Sequence, residues 1–180
     1  MTHDASDDDG QSGMITPVTP AEYRADPALR AAMLAINNAH AVELSWADEA
    51  RMAMLVDEAF LAARLGTADT MVGAMLLAFA PGAAYDSANY QWFAARYASF
   101  VYIDRVVTAP RARGRGLARR LYAHLFDAAR DAGHERIVCE VNSDPPNPAS
   151  ESFHRALGFA PVGEALLENG KTVTYLALEL

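Results

Sequence analysis

The sequence predicts an α/β (α+β) fold, a mixed sheet with helices on its faces. Three patterns carry that prediction. Apolar, β-branched runs alternate with helix-periodic stretches through the middle of the chain. One amphipathic stretch, with Leu117, Leu121 and Leu125 every fourth residue, lies between two strand-like runs and so makes a βαβ unit. Two last runs flank Asn169-Gly170, a two-residue hairpin signal. At 180 residues the chain can bury a real core. The expected organisation is a disordered acidic tail over 1–13 and one domain over 14–180.

Taken in order, Met14–Thr19 reads as a first strand. Pro27 opens a helix with Leu29, Met33, Ile36 and His40 near one face. A second helix starts near Ala47 with Asp48 as N-cap, carries Met52, Leu55, Val56, Ala59 and Ala63 at helical spacing, and stops near Gly66. Thr70–Ala80 is a continuous apolar run closed by Pro81-Gly82, consistent with a buried strand. The aromatic segment to Tyr97 reads as a short helix or an ordered loop. Phe100–Thr108 is a strand, followed by an Arg/Gly turn, a helix to about Asp131 ended by Gly133, and a strand over Arg136–Asn142. A short helix spans about Ala149–Leu157, and Val162–Leu167 with Thr172–Leu180 forms the closing hairpin.

The formal net charge is −8, and half of it lies in the first thirteen residues, on Asp4, Asp7, Asp8 and Asp9. An acidic domain argues against binding nucleic acid or an anionic membrane. The longest apolar run, Met71 to Pro81, is too short to span a bilayer. The polar N-terminus does not resemble a secretory signal, and the single Cys139 allows no internal disulfide, so a cytoplasmic location is expected.

The most informative segment is Arg111-Ala112-Arg113-Gly114-Arg115-Gly116, a glycine-bearing turn that opens the long helix. Such a turn aims backbone N–H groups at an anion, and the helix macrodipole adds positive potential. Arg111, Arg113, Arg115, Arg119 and Arg120 raise it further, which suits a pyrophosphate. A Rossmann reading fails because Arg119 stands where Gly or Ala is needed, and a P-loop reading fails because no Gly-Lys-Ser/Thr follows.

The stretch Arg111-x-x-Gly114-x-Gly116 resembles the acyl-CoA signature of the GNAT superfamily of N-acetyltransferases. A second block, Asn147-x-Ala149-Ser150 with Phe153-His154 and then Gly158-Phe159, is similar to that family's Asn-x-x-Ala/Ser-x-x-Phe-Tyr and Gly-Phe. The resemblance covers roughly Phe100–Gly163. It implies a mostly antiparallel sheet in which the Phe100–Thr108 and Arg136–Asn142 strands are parallel and splay apart. Acetyl-CoA, or another short acyl-CoA, would be the donor, with no metal. Its pantetheine arm would lie in the gap and pair near Val106, Val107 and Thr108, and its pyrophosphate would sit on Arg113, Gly114, Arg115, Gly116, Leu117 and Ala118. Arg111 completes the signature, and Asn147, Ser150 and His154 would line the pantetheine or acyl end. Dimers are frequent in the resembling family, but no interface is legible in this sequence.

Acyl transfer to an amine needs a neutral amine, an oxyanion donor, a proton for the thiolate and, above all, alignment. His154 stands where the resembling motif commonly carries the Tyr that protonates the sulfur. With an ordinary pKa near ~6.5 it can donate around neutrality; alternatively it orders the donor, caps a carbonyl or is exposed. Tyr102 and Tyr97 are reserve donors. Asp104 is the first base candidate, since some polyamine-acetylating relatives carry an acid there; the alternative is an ion pair with Arg105 or Arg136. Glu140 is a second acidic option on the neighbouring strand. Cys139, among apolar neighbours, reads as core rather than nucleophile.

For the acceptor, Asn37, Asn38, His40 and Glu43 cluster where the first helix ends, a place that borders the acceptor pocket in the resembling fold. A helix cap is the competing explanation. Trp92, Phe93 and Tyr90 would either wall that pocket or pack in the core. The reaction expected is acetyl transfer to a primary amine of a small molecule or protein by direct attack in a ternary complex. A non-catalytic acyl-CoA sensor is the alternative. A nucleic-acid contact through the Arg-rich turn is opposed by the net charge.

Overall fold

The structure, a computed structural model, describes residues 13–180, leaving out the side chain of Glu43. The acidic tail expected over 1–13, apart from Gly13, lies outside the described residues. The elements are β1 (Ile15–Pro17), α1 (Pro20–Ala25), α2 (Pro27–Asn38), α3 (Ala41–Leu44), α4 (Glu49–Glu58), β2 (Leu61–Thr67), β3 (Thr70–Phe79), α5 (Ala88–Ala94), β4 (Val101–Thr108), α6 (Leu117–Asp131), β5 (Arg136–Asp144), α7 (Pro148–Ala156), β6 (Ala160–Leu166) and β7 (Thr172–Glu179). The seven strands lie in one mostly antiparallel sheet, order β1-β2-β3-β4-β5-β7-β6, with helices on both faces. Strands β4 and β5 are the parallel pair, joined at their starts where Val101 faces Ile137 and Tyr102 faces Val138.

Two compact units make up the chain. The first comprises the residues up to Asp57 together with Ala62–Leu76 and Arg105–Tyr122. Here β1 pairs antiparallel with β2, Ile15 opposite Leu65. Helix α1 is held by a capping box in which Glu22 N–H donates to Thr19 Oγ1 and Thr19 N–H donates to Glu22 Oε2. Helix α2 starts where Asp26 Oδ1 accepts from Ala28 and Leu29 N–H, and it buries Leu29, Met33 and Ile36.

The second predicted helix is shorter than its apolar spacing suggests. Asp48 does cap it, accepting from Arg51 N–H at 2.7 Å. The helix ends at Glu58, however, and Leu61–Thr67 is strand β2. Its Ala-rich sequence satisfies a 3.6 and a 2.0 period alike, and pairing with β1 decides between them.

The second unit comprises Glu58–Leu61, Leu77–Asp104 and Ala123–Leu180. Strand β7 pairs antiparallel with both β5 and β6. The hairpin at Asn169-Gly170 is present, but its loop is three residues rather than two. Leu167 N–H bonds to Lys171 O, Gly170 N–H bonds to Leu167 O, and Gly170 adopts φ +81°. This is a turn followed by a left-handed residue.

The aromatic segment forms α5, capped by Ser87, whose Oγ accepts from Tyr90 N–H. Its Tyr90 and Phe93 are buried beside Phe79, Tyr85, Phe100 and Tyr102. Trp92 stacks on Tyr175 at 4.1 Å over Gly163, where a Cβ would come within 2.6 Å of the indole.

Candidate active site

In the first unit, β4 runs into a 3-10 turn over Pro110–Ala112, and Ala109 N–H is tied to Gly73 O at 2.8 Å. Gly114 and Gly116 then take φ +75° and +70°, left-handed values that disfavour any side chain. A Cβ at either would meet nothing within 4 Å, so the backbone there faces open space. The residue before α6 is Gly116, which has no side chain to cap it. The first α-helical bond runs from Arg120 N–H to Gly116 O, so the amides of Leu117, Ala118 and Arg119 have no intrahelical acceptor.

Helices α1, α2, α4, α5 and α7 each have a capping side chain. Helix α6 has instead no acidic residue in its first turn and exposed Arg111, Arg113, Arg115 and Arg119 around it. Positive side chains at the positive end of a helix are unfavourable by themselves and become favourable around an anion. Upstream on β4, Val106 and Thr108 are half-buried on either side of the buried Val107, sharing one face of the strand.

The second unit holds a polar network within its aromatic cluster. Tyr85 O–H donates to Asp104 Oδ1 at 2.5 Å. Tyr102 O–H and Asn89 Nδ2 both donate to Glu140 Oε1, at 3.0 and 2.8 Å, and Tyr175 O–H donates to Asn89 Oδ1 at 3.1 Å. Glu140 Oε2 is buried and has no hydrogen-bond partner. Burial, reinforced by the negative charge of Asp104, pushes the Glu140 carboxyl up to about 8, against the lowering effect of the Tyr102 and Asn89 bonds. Burial first, then Glu140 and Asp104, holds the Tyr102 phenol well above its ordinary range, so it stays protonated and donates. Burial also holds the Cys139 thiol well above its usual value, in keeping with a core role.

The family model for the Acetyltransferase (GNAT) family matches residues 29–159. This chain belongs to the GNAT acetyltransferase family. No curated protein matches it by sequence. Solved structures share its fold. They include a chain of the NatC complex bound to Gag peptide and CoA, with TM-score 0.69 at 13 % identity, covering 93 % of this chain and 98 % of that one. The ribosomal-protein-S18-alanine N-acetyltransferase of Escherichia coli matches at 0.64 and 17 %, covering 93 % of each chain. A mutant spermidine N-acetyltransferase of Vibrio cholerae matches at 0.62 and 14 %, covering 92 % of each.

The other GNAT-derived candidates lie in less open settings. His154, 4 % exposed, approaches Ser150 O with Nδ1 at 2.8 Å and sits edge-on to Phe153 and Phe159. A carbonyl only accepts, so Nδ1 carries the hydrogen of that bond. Burial lowers the His154 pKa, while the Ser150 carbonyl works the other way. Asn147 Oδ1 caps α7 by accepting from Ser150 N–H at 3.2 Å, and Ser150 Oγ lies 3.3 Å from His154 Nδ1.

Asn37 is fully buried. Its Nδ2 donates to Asn38 Oδ1 and Ser45 O, and its Oδ1 accepts from the buried Arg105 at 2.6 Å. Asn38 clamps Ala47 through both its N–H and its carbonyl. Both amides thus hold the chain after α2. Glu43 lies in α3, with its side chain outside the described residues. Arg136, one suggested partner of Asp104, pairs with Glu135 and Glu179. Nothing in the sequence singles out Asn89, Tyr85 or Tyr175. Asn89 and Tyr175 lie 51 and 86 residues from their partners Glu140 and Asn89, and no local spacing links them. Among the described residues, no helix is long and apolar enough to cross a membrane.

Proposed function

We propose that this chain transfers an acetyl group from acetyl-CoA to a primary amine of a small molecule or protein, by direct attack in a ternary complex. The observation that carries the reading is the uncapped, Arg-ringed start of α6, opened by two left-handed glycines. It suits the CoA diphosphate. The amides of Gly114, Gly116, Leu117 and Ala118 supply donors, with Arg111, Arg113 and Arg115 neutralising charge. The backbone of Val106, Val107 and Thr108 is assigned to the pantetheine arm. Two of the similar structures are enzymes named for a protein alanine and for spermidine, both amines.

Acetyl-CoA brings an acetyl group already activated as a thioester. An alkyl ammonium with a pKa near ~10.4 must lose a proton before it attacks. Glu140, titrating at about 8, is basic enough to take that proton and becomes mostly ionised as the pH rises past 8. Asp104 adds negative charge that favours the ammonium form on arrival. The nitrogen then bonds to the acetyl carbon, the C–S bond breaks, and CoA leaves as thiolate. Of the two protons the ammonium loses on becoming an amide N–H, one neutralises the thiolate and the other goes to solvent. Alignment supplies the larger share, on the order of 7–11 kcal/mol in well-oriented systems.

Thiol release measured across a panel of primary amines tests the reading. CoA is expected to appear with at least one amine, at a rate that rises between pH 7 and 9. Acetyl-CoA binding without release for any amine would favour the sensor.

We assign His154 to organising α7, because its Nδ1 proton is given to Ser150 O within an aromatic pocket. His154→Ala should cost about 2 kcal/mol of stability from cavity and lost hydrogen bond, with kcat within about threefold of wild type. A pH-dependent collapse of kcat in a folded His154→Ala protein would instead make it the acid.

A further inference from the structure

The two oxygens of Glu140 are in different situations. Oε1 accepts from Asn89 Nδ2 and from Tyr102 O–H, and two donors fill both lone pairs of a carboxylate oxygen. Oε2 is buried and carries no hydrogen bond. A buried acceptor left open is rare and calls for a role.

The orientation of Asn89 is itself determined. In the ionised form that serves as base the carboxylate can only accept, so the Asn89 nitrogen faces Glu140 Oε1 and its oxygen faces away. Tyr175 O–H meets that oxygen at 3.1 Å. The Tyr175 ring is in turn fixed by Trp92, stacked at 4.1 Å and 21°, and by the edge of Phe93 at 5.1 Å. Arg96 covers the Trp92 ring at 3.8 Å. A rigid aromatic stack on β7 and α5 thus ends in one oriented amide.

We propose that Asn89, held by Tyr175, is a positioning residue for acetyl transfer: it fills Oε1 of Glu140 and reserves Oε2 for the proton of the acceptor ammonium. The inference rests on the reading of Glu140 as the base. The ammonium gives one proton to Oε2 before the N–C bond forms, and the attacking nitrogen sheds a second as the C–S bond breaks; one of the two ends on the thiolate and the other in solvent, so no other reactant is needed. The titratable groups around this carboxyl are Asp104 and Tyr102 of β4, Tyr175 of β7 and the adjacent Cys139, with Tyr85 bound to Asp104 and Arg96 acting on Tyr175.

The test is a carboxyl-carbon NMR titration of the full chain labelled at glutamate, with the Glu140 signal assigned by its loss in Glu140→Gln. Wild type should titrate at about 8. Asn89→Ala removes a donor from the ionised form and should move the midpoint up by about one pH unit. Tyr175→Phe keeps the ring stack, so it should fold, and should move the midpoint in the same direction by less. The rising limb of kcat should move with each midpoint, activity returning at higher pH. Unmoved midpoints, or a rate loss equal at every pH, would overturn the positioning role. If Glu140→Gln also leaves rate and limb intact, the base reading falls; if it abolishes the limb while the other two variants do nothing, only the positioning role falls.

Discussion

Glu140→Gln is expected to lower acetyl transfer near pH 8 by about 100-fold or more, the usual contribution of a positioned general base, while making the protein more stable. The two effects share one cause. The folded protein holds the Glu140 carboxyl at about 8 against an ordinary 4.5, because its negative form is deprived of water and faces Asp104. A raised carboxyl pKa means that the native state binds the proton more tightly than the unfolded state. Stability therefore falls as pH rises from about 4.5 to about 8 and is level above that. Glutamine, always neutral, escapes this loss, so the variant should gain more at pH 8 than at pH 5. The gain at pH 8 is on the order of several kcal/mol, since a tenfold change in proton affinity between the two states is worth about 1.4 kcal/mol. Melting curves of both proteins at pH 5 and 8, beside rates at pH 8, check this. A variant that is less stable at pH 8, or equally active, would show that Glu140 is an ordinary structural acid.

Gly114→Glu is expected to weaken CoA binding by about 100-fold or more, measured by calorimetry, roughly 2.7 kcal/mol. Two effects add. Gly114 sits at φ +75°, where a side chain costs on the order of 1–2 kcal/mol. The new carboxylate would also stand in the cradle meant for a diphosphate, at a helix start ringed by Arg. No atom lies within 4 Å of the Cβ position, so the fold should survive, less stable by little more than the φ cost. Gly114→Ala isolates the conformational part and should keep most of the affinity. Equal affinities in wild type and Gly114→Glu would remove the turn from the donor site.

Much of the fold is legible in the sequence because its signals are local. Strands β4 and β5, helix α6 and the stop at Gly133 follow from periodicity and one glycine, and all are seen. Strand β2 reads as helix because Leu61–Thr67 is Ala-rich and only its pairing with β1 selects the strand. Helix α1 escapes a reading by periodicity although Thr19 and Glu22 spell its capping box, since six residues give too little period to register.

The site divides in the same way. The Arg111–Gly116 turn is contiguous and can be recognised, along with its left-handed glycines. The acid–amide–phenol chain around Glu140 cannot, because β4, α5, β5 and β7 each contribute to it and burial, not residue type, sets its chemistry. Burial likewise withdraws Asn37 into the interior beside Arg105, where its amide holds the chain after α2.

Backbone amide NMR during a CoA titration reads the diphosphate cradle at the start of α6 itself. The amide signals of Gly114, Gly116, Leu117, Ala118 and Arg119 should move downfield and saturate together, as hydrogen bonds form to the diphosphate. Saturable CoA binding that leaves those five signals in place would rule that cradle out.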